Sequence, residues 1–534
     1  MRVAVIGATG NTGTAVLEHL NSREEITSIL GIARRLPDAE SEPYNHAEWA
    51  AAGIQFPDVH QRLVELFDGV DAVVHLGWLI QPNSKRELLR RVNVDGTRHV
   101  VEAAAAAGVQ RIAVASSVGA YSPVDDDELR DESWPTDGIQ GSHYSQDKAA
   151  QERVLDEFEA LHPDIAVARL RPGLIFQGSA GSEIQRYFAG RFAPVQLLNA
   201  VRPPMLPMPA GIRSQAVHAT DVAAAYAEAI IRGARGAFNI AADDVLDAET
   251  IAAVVARRKT GRASIGVPLA PLRPLVKALH RSRILPMDEG WLDMAESVPL
   301  MDTTRAKTEL GWQPAVSGAD ALAELIDAMS SGEGRRSAPM RPRGESALSA
   351  HPLPDPAHKV PDEVDTGLLR SYMADHLTGA TVGMQRIHAM ADAFDDTPVY
   401  PEISKVAETI DAEHWWLSEL LQRQDLPRPV AAAGLAWVGE RLSRLKPYAR
   451  PPLKRSPSAL VLETELMIAA ITAKRQGWEV LSDYAGELGV DSAVFSDLIS
   501  AADDQRETLD TVHTYARERA FWKESETLTP QLKD

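Results

Sequence analysis

Cysteine is absent from the chain, which excludes disulfides and thiolate metal sites and suits a reducing cytosol. Long apolar runs are absent too: none approaches the roughly 18 residues expected of a membrane-spanning helix. The N-terminal apolar run is only a strand long, with no basic leader before it, so no secretory signal is expected. Positive charge is scarce: 55 Lys and Arg stand against 75 Asp and Glu, a formal net charge of −20. Neither nucleic acid nor an anionic membrane is therefore an expected partner. These absences describe an acidic, soluble, cytoplasmic protein. Its 534 residues exceed a single unit, since domains average about 150 residues.

What is present begins at the first residues. Residues 3–6 form an unbroken apolar run, which suits a strand covered on both faces of a parallel sheet. Gly7, Gly10 and Gly13 follow at three-residue steps, and residues 12–20 read as a helix with Val16, Leu17 and Leu20 on one side. Glycine is needed where backbone turns tightly, approaches a phosphate or lets helix and strand touch. The helix start offers N–H groups and a positive dipole, so a pyrophosphate fits there. Further strands are expected over residues 27–33, 53–56, 71–76, 111–116, 165–170 and 237–241, with a long helix over 86–108. Such alternation makes the first part an α/β unit with a doubly wound parallel sheet. Its ligands are expected beyond the C-terminal ends of the strands.

A second constellation is Tyr144-Ser-Gln-Asp-Lys148, on a helix continued by Ala149, Ala150, Val154 and Leu155. Residues four apart share one helix face. Tyrosine alone is a poor acid or base, with a reference pKa of about 10, and a nearby ammonium is expected to lower it toward the working range. The third partner expected is a hydroxyl at a strand end, and Ser116 and Ser117 close the strand at 111–116.

With these motifs in place, residues 1–330 resemble an extended short-chain dehydrogenase/reductase, the group that includes the nucleotide-sugar epimerases and dehydratases. Gly7-Ala-Thr-Gly-Asn-Thr-Gly13 resembles its cofactor turn and Tyr144/Lys148 its catalytic pair. Val74-His-Leu-Gly77, Asn93-Val-Asp-Gly-Thr97, Arg171-Pro-Gly-Leu-Ile-Phe176 and Val217-His-Ala-Thr-Asp-Val222 resemble later segments of the same family, in order. The resemblance implies a Rossmann-like fold with a small substrate lobe over 178–215 and 243–330. It implies Ser117, four residues before Tyr121, as the catalytic serine, Tyr144 as the group exchanging a substrate proton, and Lys148 as holder of the nicotinamide ribose. Cofactor contacts would come from Gly7, Thr9, Gly10, Asn11, Thr12, Gly13, Leu76, Gly77, Trp78, Asn93, Tyr144, Lys148, Pro172 and Gly173, with Asp58 near the adenine. Hydride would pass to or from the nicotinamide.

The choice of cofactor has a physical argument. NAD-binding members carry an acid just after the second strand, for the ribose 2′-hydroxyl. Here Ala33 is followed by Arg34 and Arg35, two guanidinium groups suited to a 2′-phosphate. NADP is therefore the expected cofactor and NAD the alternative.

The substrate is a small molecule whose identity is left open. Trp78 is bulky where smaller residues are usual and could shape the pocket, Arg213 could hold a substrate anion, and the proline-rich run 202–209 could line the cleft. A sugar-nucleotide epimerase and a ketone, aldehyde or lactone reductase are both consistent with the motifs. Residues 331–365 read as a linker rich in Ser, Gly, Arg and Pro. Beyond it, residues 366–525 read as a separate all-α bundle of four or five helices without internal repeat, one of them expected over 429–445. Asp411/His414 and Asp510/His513, with Glu463 and Glu465, imitate a di-iron pattern, but the expectation is that no metal binds. Dimerisation, covering the enzyme cleft and docking of a partner, through Trp415 and Trp416 if exposed, are the roles open to the bundle. The competing class of function is a dinucleotide-binding redox sensor or scaffold. Retention of Ser117, Tyr144 and Lys148 together favours an enzyme, because a sensor needs only the cofactor turn.

Overall fold

The computed structural model describes residues 1–56, 59–80, 86–184, 205–209, 211–257, 263–268, 273–274, 276–277, 288–337, 339–340, 353–355, 358–394, 397–424 and 457–521. The chain divides into two compact units, Met1–Arg343 and Gly344–Asp534.

The first unit is built on a seven-stranded sheet. β1 (Arg2–Ile6) is followed by α1 (Asn11–Asn21), β2 (Ser28–Ala33), β3 (Glu48–Ala51), α2 (Val59–Leu66) and β4 (Ala72–His75). Next come α3 (Arg86–Arg90), a π turn over Arg91–Asp95, α4 (Gly96–Ala106), β5 (Arg111–Ala115), α5 (His143–Leu161) and β6 (Ala166–Pro172). The chain continues through β7 (Leu174–Phe176), β8 (Ala216–His218), α6 (Ala219–Arg232), β9 (Gly236–Ile240), α7 (Gly290–Ser297) and α8 (Gly318–Ser331). All pairings in the large sheet are parallel, in the order β9-β6-β5-β4-β1-β2-β3. The order reverses between β1 and β4, so the crevice for a ligand opens at their C-terminal ends.

The reason β1 is apolar throughout is visible in its neighbours. Val3 and Val5 join the core packed with α1 and α6, whereas Ala4 and Ile6 join the core packed with α2 and α4. Each residue of the run therefore faces one of two buried layers.

Two expectations need correction here. The third strand is Glu48–Ala51, not 53–56. It is an edge strand whose pattern is not apolar: Glu48 pairs with Arg2 at 2.7 Å, and Trp49 lies against the bare backbone of Gly31, where a Cβ would come within 2.6 Å of the ring. Ile54, which looked like strand, instead fills the space left by Gly77 and Gly96. The start of the expected linker is also anchored. α8 ends at Gly332, with φ +82°, and the chain then returns to α1. Arg335 pairs with Glu18 at 2.7 Å, the Ser337 hydroxyl donates to the Thr9 carbonyl at 2.8 Å, and the buried Met340 sulfur accepts from Thr14 at 3.2 Å. The composition of a linker conceals a strap held on the glycine turn.

The second unit is all helical. α9 (Thr366–Ala393), α10 (Tyr400–Arg423), α11 (Pro457–Asp483) and α12 (Ser492–Arg517) are its described helices. Asp365 caps α9 by accepting from the Gly367 and Leu368 N–H groups, and Asp491 caps α12 through Ala493. Short connections make α9/α10 and α11/α12 antiparallel neighbours. The expected helix over 429–445 lies outside the described residues. One core cluster centres on Ile403, Ile410, Met467 and Leu509, another on Trp416, Leu420, Trp478 and Phe495. Trp416 is thus no interface residue: it is fully buried, edge-on to Trp478 and Phe495. The helical acid–histidine pairs are also drawn elsewhere. His388 meets Asp411 at 2.9 Å, His414 meets Thr381 at 2.9 Å and His513 meets Glu465 at 3.3 Å. Among the described residues no group of three or more His, Asp and Glu is placed to hold a metal ion. No described helix is long and apolar enough to cross a membrane.

Candidate active site

The glycine turn lies between β1 and α1, at the switch in strand order. Gly7 has φ +80°, and a Cβ on it would lie 2.9 Å from the Gly77 nitrogen. A Cβ on Gly13 would lie 2.2 Å from the Gly7 carbonyl oxygen. Chain packing alone therefore requires these two. Gly10 differs: its Cβ would meet only the Gly7 oxygen, at 3.7 Å. The room above Gly10 suits a phosphate approaching the backbone, and α1 begins there without a side-chain cap on its N–H groups. These features fit a dinucleotide. The Asn11 side chain faces another task, because its amide donates to Ile175 at 3.3 Å and its oxygen accepts from Gln177 at 2.7 Å. What Asn11 and Thr12 offer a pyrophosphate is backbone at the helix start.

The floor of the crevice is pinned by Asn93. The π turn places this residue inside, 1% exposed, where it donates to the Leu79 carbonyl at 2.9 Å and accepts from the Leu79 N–H at 2.8 Å. It holds Leu76, Gly77 and Trp78 in line after β4. Beside them His75 meets Thr97 at 3.1 Å, and burial, with the Lys148 ammonium adding to it, pushes its pKa down to about 3. Pro172 ends β6, and a Cβ on Gly173 would come within 2.3 Å of the Gln215 carbonyl oxygen. Arg34 and Arg35 stand half-buried after β2. The loop behind them is fastened by Asp38, whose N–H donates to the Arg336 carbonyl at 3.0 Å. Asp58 lies outside the described residues.

Ser117, Tyr144 and Lys148 converge at the ends of β5 and α5. Ser117 accepts from the Gly119 N–H at 3.0 Å, and Tyr144 packs against the same glycine. Ser116 turns away and donates to Glu152 at 2.5 Å, so the two neighbouring serines have different tasks. Lys148 is 2% exposed and donates to the Ala115 carbonyl at 2.6 Å and to Gln151 at 3.2 Å. Its ammonium stands 3.4 Å from the centre of the Trp78 ring but 6.0 Å from that of Tyr144. Burial holds this ammonium well below the usual lysine range, against the pull of Glu152 and Asp147.

Here the expected acidification of Tyr144 is overturned. Its pKa is raised, not lowered, by burial, which outweighs the opposing influence of Ser117. The rings of Trp78 and Trp291 stand 5.8 and 5.3 Å from that of Tyr144, and the ammonium is directed toward Ala115 and Trp78. Arg213 is not placed as a free anion holder either: it pairs with Asp127 and donates to the Glu296 and Val298 carbonyls at 3.4 Å.

Sequence reasoning missed the group that supports this site. Glu152, 1% exposed, receives Arg171 at 2.8 Å and Arg169 at 3.0 Å. Burial alone would raise its pKa, but the two guanidinium groups bring it down to about 2. Arg171 also donates to the Tyr121 hydroxyl at 3.0 Å, and that hydroxyl donates to Asn239 at 2.6 Å. The available signal was spacing, since Glu152 follows Lys148 by four residues on one helix. Trp291 had no signal, standing in the expected substrate lobe outside every motif.

Residues 3–241 match the NAD dependent epimerase/dehydratase family. An uncharacterised protein of Mycobacterium tuberculosis is 27% identical over 333 residues, 61% of this chain, and the chain spans only 30% of that relative's length. An L-arabinose 1-dehydrogenase (NAD(P)(+)) of Haloferax volcanii is 34% identical over 118 residues, 22% of this chain and 41% of its own. A solved UDP-glucose-4-epimerase from Stenotrophomonas maltophila is 18% identical, with a TM-score of 0.48 and coverage of 62% of this chain and 98% of that one. The match to the NAD dependent epimerase/dehydratase family thus takes in the glycine turn, Ser117, Tyr144, Lys148 and the sheet that carries them.

Proposed function

We propose that the first unit is an NADP-preferring oxidoreductase or epimerase that moves hydride at a hydroxyl- or carbonyl-bearing carbon of a small molecule. The observation that carries this reading is the placement of Ser117 and Tyr144 beside Lys148, at the strand ends that flank the glycine turn. Bound dinucleotide would supply the hydride in reduction and accept it in oxidation. In the reductive direction Tyr144 gives its proton to the substrate oxygen while Ser117 donates a hydrogen bond to that oxygen. In the oxidative direction Tyr144 receives the proton. Lys148 stabilises the phenolate that forms and holds the ribose hydroxyls. Arg34 and Arg35 give the 2′-phosphate its partners.

Of the two reactions, the aromatic surroundings of Tyr144 support reduction of a ketone, aldehyde or lactone over turnover of a nucleotide sugar. Trp78 and Trp291 flank the phenol, and Met294 and Val298 pack beside it. The test is direct: a panel of carbonyl compounds with NADPH, followed by loss of nicotinamide absorbance. A reductase consumes NADPH stoichiometrically, whereas an epimerase converts its substrate with the cofactor retained. Equal catalytic efficiency with NADH and NADPH, or an unchanged preference in Arg34→Ala/Arg35→Ala, would refute the cofactor assignment.

A further inference from the structure

We propose that Gln151 is a positioning residue for Lys148, the far end of a hydrogen-bond chain that starts at the floor of the cofactor crevice. The inference rests on the reading of Lys148 as holder of the nicotinamide ribose, and it adds the residue that aims the ammonium. Gln151 follows Lys148 by three residues on α5, on the same face of the helix. It is 1% exposed, and a buried amide is costly unless both its ends are bonded.

The chain has a single direction, set by one proton. The Thr97 hydroxyl, on α4, donates to the Asn93 carbonyl at 2.8 Å. Its hydrogen is thereby spent, so its oxygen can only accept from its other neighbours. The Gln151 nitrogen, at 3.0 Å, and His75 Nε2, at 3.1 Å, are therefore both donors to it. That fixes the amide. With its nitrogen turned to Thr97, Gln151 presents its oxygen to the Lys148 ammonium, at 3.2 Å. It fixes the imidazole as well: His75 carries its proton on Nε2, and Nδ1 is left as an acceptor without a partner. Burial, with the ammonium adding to it, keeps that ring uncharged, with a pKa of about 3. Asn93, where the chain starts, is the residue whose side chain holds Leu79 at both its N–H and its carbonyl. Lysine and floor are tied through four residues.

The ammonium has three N–H groups. The Ala115 carbonyl takes one at 2.6 Å and Gln151 takes the second. The third is left for the side of Trp78, whose ring centre is 3.4 Å away and which flanks Tyr144. Two anchors behind the ammonium thus leave one donor on the side where a ribose hydroxyl binds.

The nearby carboxylates do not replace Gln151. Glu152, on the same helix, is held by Arg169 and Arg171 of β6, and Asp147 by Arg86 of α3. Both favour the charged lysine, while burial opposes it more strongly. Among the described residues, Tyr144, with its ring centre 6.0 Å from the ammonium, and the uncharged His75 are the other titratable groups facing it. Among the same residues, Gln151 is the only side chain that accepts a hydrogen bond from Lys148.

The test follows NADPH binding to the full chain by nicotinamide fluorescence, from about pH 6 to pH 10, a range that brackets a depressed lysine. Charged Lys148 binds the ribose, so affinity should fall along an alkaline limb as the ammonium is lost. Lys148→Arg should remove that limb, because a guanidinium keeps its charge over this range. Gln151→Met keeps the length of the side chain and removes the amide oxygen. The limb should then move down by about one pH unit, the worth of one hydrogen bond to a charged group. Gln151→Glu restores an acceptor and adds a charge, so the limb should move up by about one to three units. Opposite directions separate positioning from packing, because a merely structural residue would shift both variants alike. Thr97→Val removes the hydroxyl that orients the amide. It should move the limb down by less than Gln151→Met does, and it takes over if that variant does not fold. The proposal is overturned if the parent shows no alkaline limb, if the limb survives Lys148→Arg, or if both Gln151 variants leave it in place or move it alike; the oxidoreductase reading stands in each case. Failure of the parent chain to bind NADPH or NADH at any pH would overturn both.

Discussion

The two units solve the same problem, a buried carboxylate, with different partners. In the sheet unit Glu152 is held by Arg169 and Arg171, whose guanidinium groups cannot lose their charge. In the helical unit Glu413 is held by Lys474 and Gln505, and burial lowers the pKa of that lysine. The first arrangement is fixed in charge and supports Ser116, which precedes Ser117. The second can relax by giving up a proton. The difference teaches that a buried ion pair tells little by itself; what its partners are able to do decides whether its charge is fixed or can change.

The largest effect that would sharpen the contrast is chemical. Tyr144→Phe should cut turnover about a thousandfold, in the range of lost general acid–base catalysis, while the unfolding midpoint stays within error. An equal fall in stability would make Tyr144 structural and break the catalytic side of the comparison. Next comes stability. Glu152→Ala leaves Arg171 buried without a carboxylate, while Arg169 keeps Asp156 and Glu159, at a cost of about 3 kcal/mol. Glu413→Ala should cost less, about 2 kcal/mol, because Lys474 can deprotonate. Hydrogen exchange of peptides from each unit reads the two separately, and the reverse order would refute the distinction.

Acid should act on the sheet unit through both His75 and Glu152. His75 has its folded pKa depressed from 6.5 to about 3, so below pH 6.5 only the unfolded chain takes up its proton and stability falls. Glu152 has its folded pKa depressed from 4.5 to about 2, so its contribution is full above pH 4.5 and is lost as pH falls toward 2. Together they should remove on the order of 3 kcal/mol by pH 4, most of it through His75. Urea midpoints against pH check this, and a flat profile from pH 7 to 4 would contradict it. The smallest effect belongs to the strap: Ser337→Ala removes one hydrogen bond to Thr9 and should cost about 1 kcal/mol, seen as faster exchange over residues 7–14 and a few-fold weaker dinucleotide binding.

The candidate site was legible in the sequence where its residues are neighbours along the chain. Gly7, Gly10 and Gly13 announce a strand–turn–helix crossover, and Tyr144 and Lys148 announce one helix face, because period and spacing are local properties. Ser117 could be chosen over Ser116 only through family resemblance, and the structure gives the two different partners. The edge strand β3 escaped because one covered face leaves no apolar run. The strap escaped because Ser, Arg and Pro composition speaks of linker while long-range contacts hold it down.

What the chain determined by itself is the order of its elements, the place of the glycine turn and the acidic, cysteine-free character of the whole. These follow from residue type and from spacings of a few positions. Tertiary structure alone decided the direction of the Tyr144 pKa, the burial of Trp416 and the partners of His388 and His414. Each depends on desolvation or on a partner tens to hundreds of residues away, and neither is written in any short stretch of sequence.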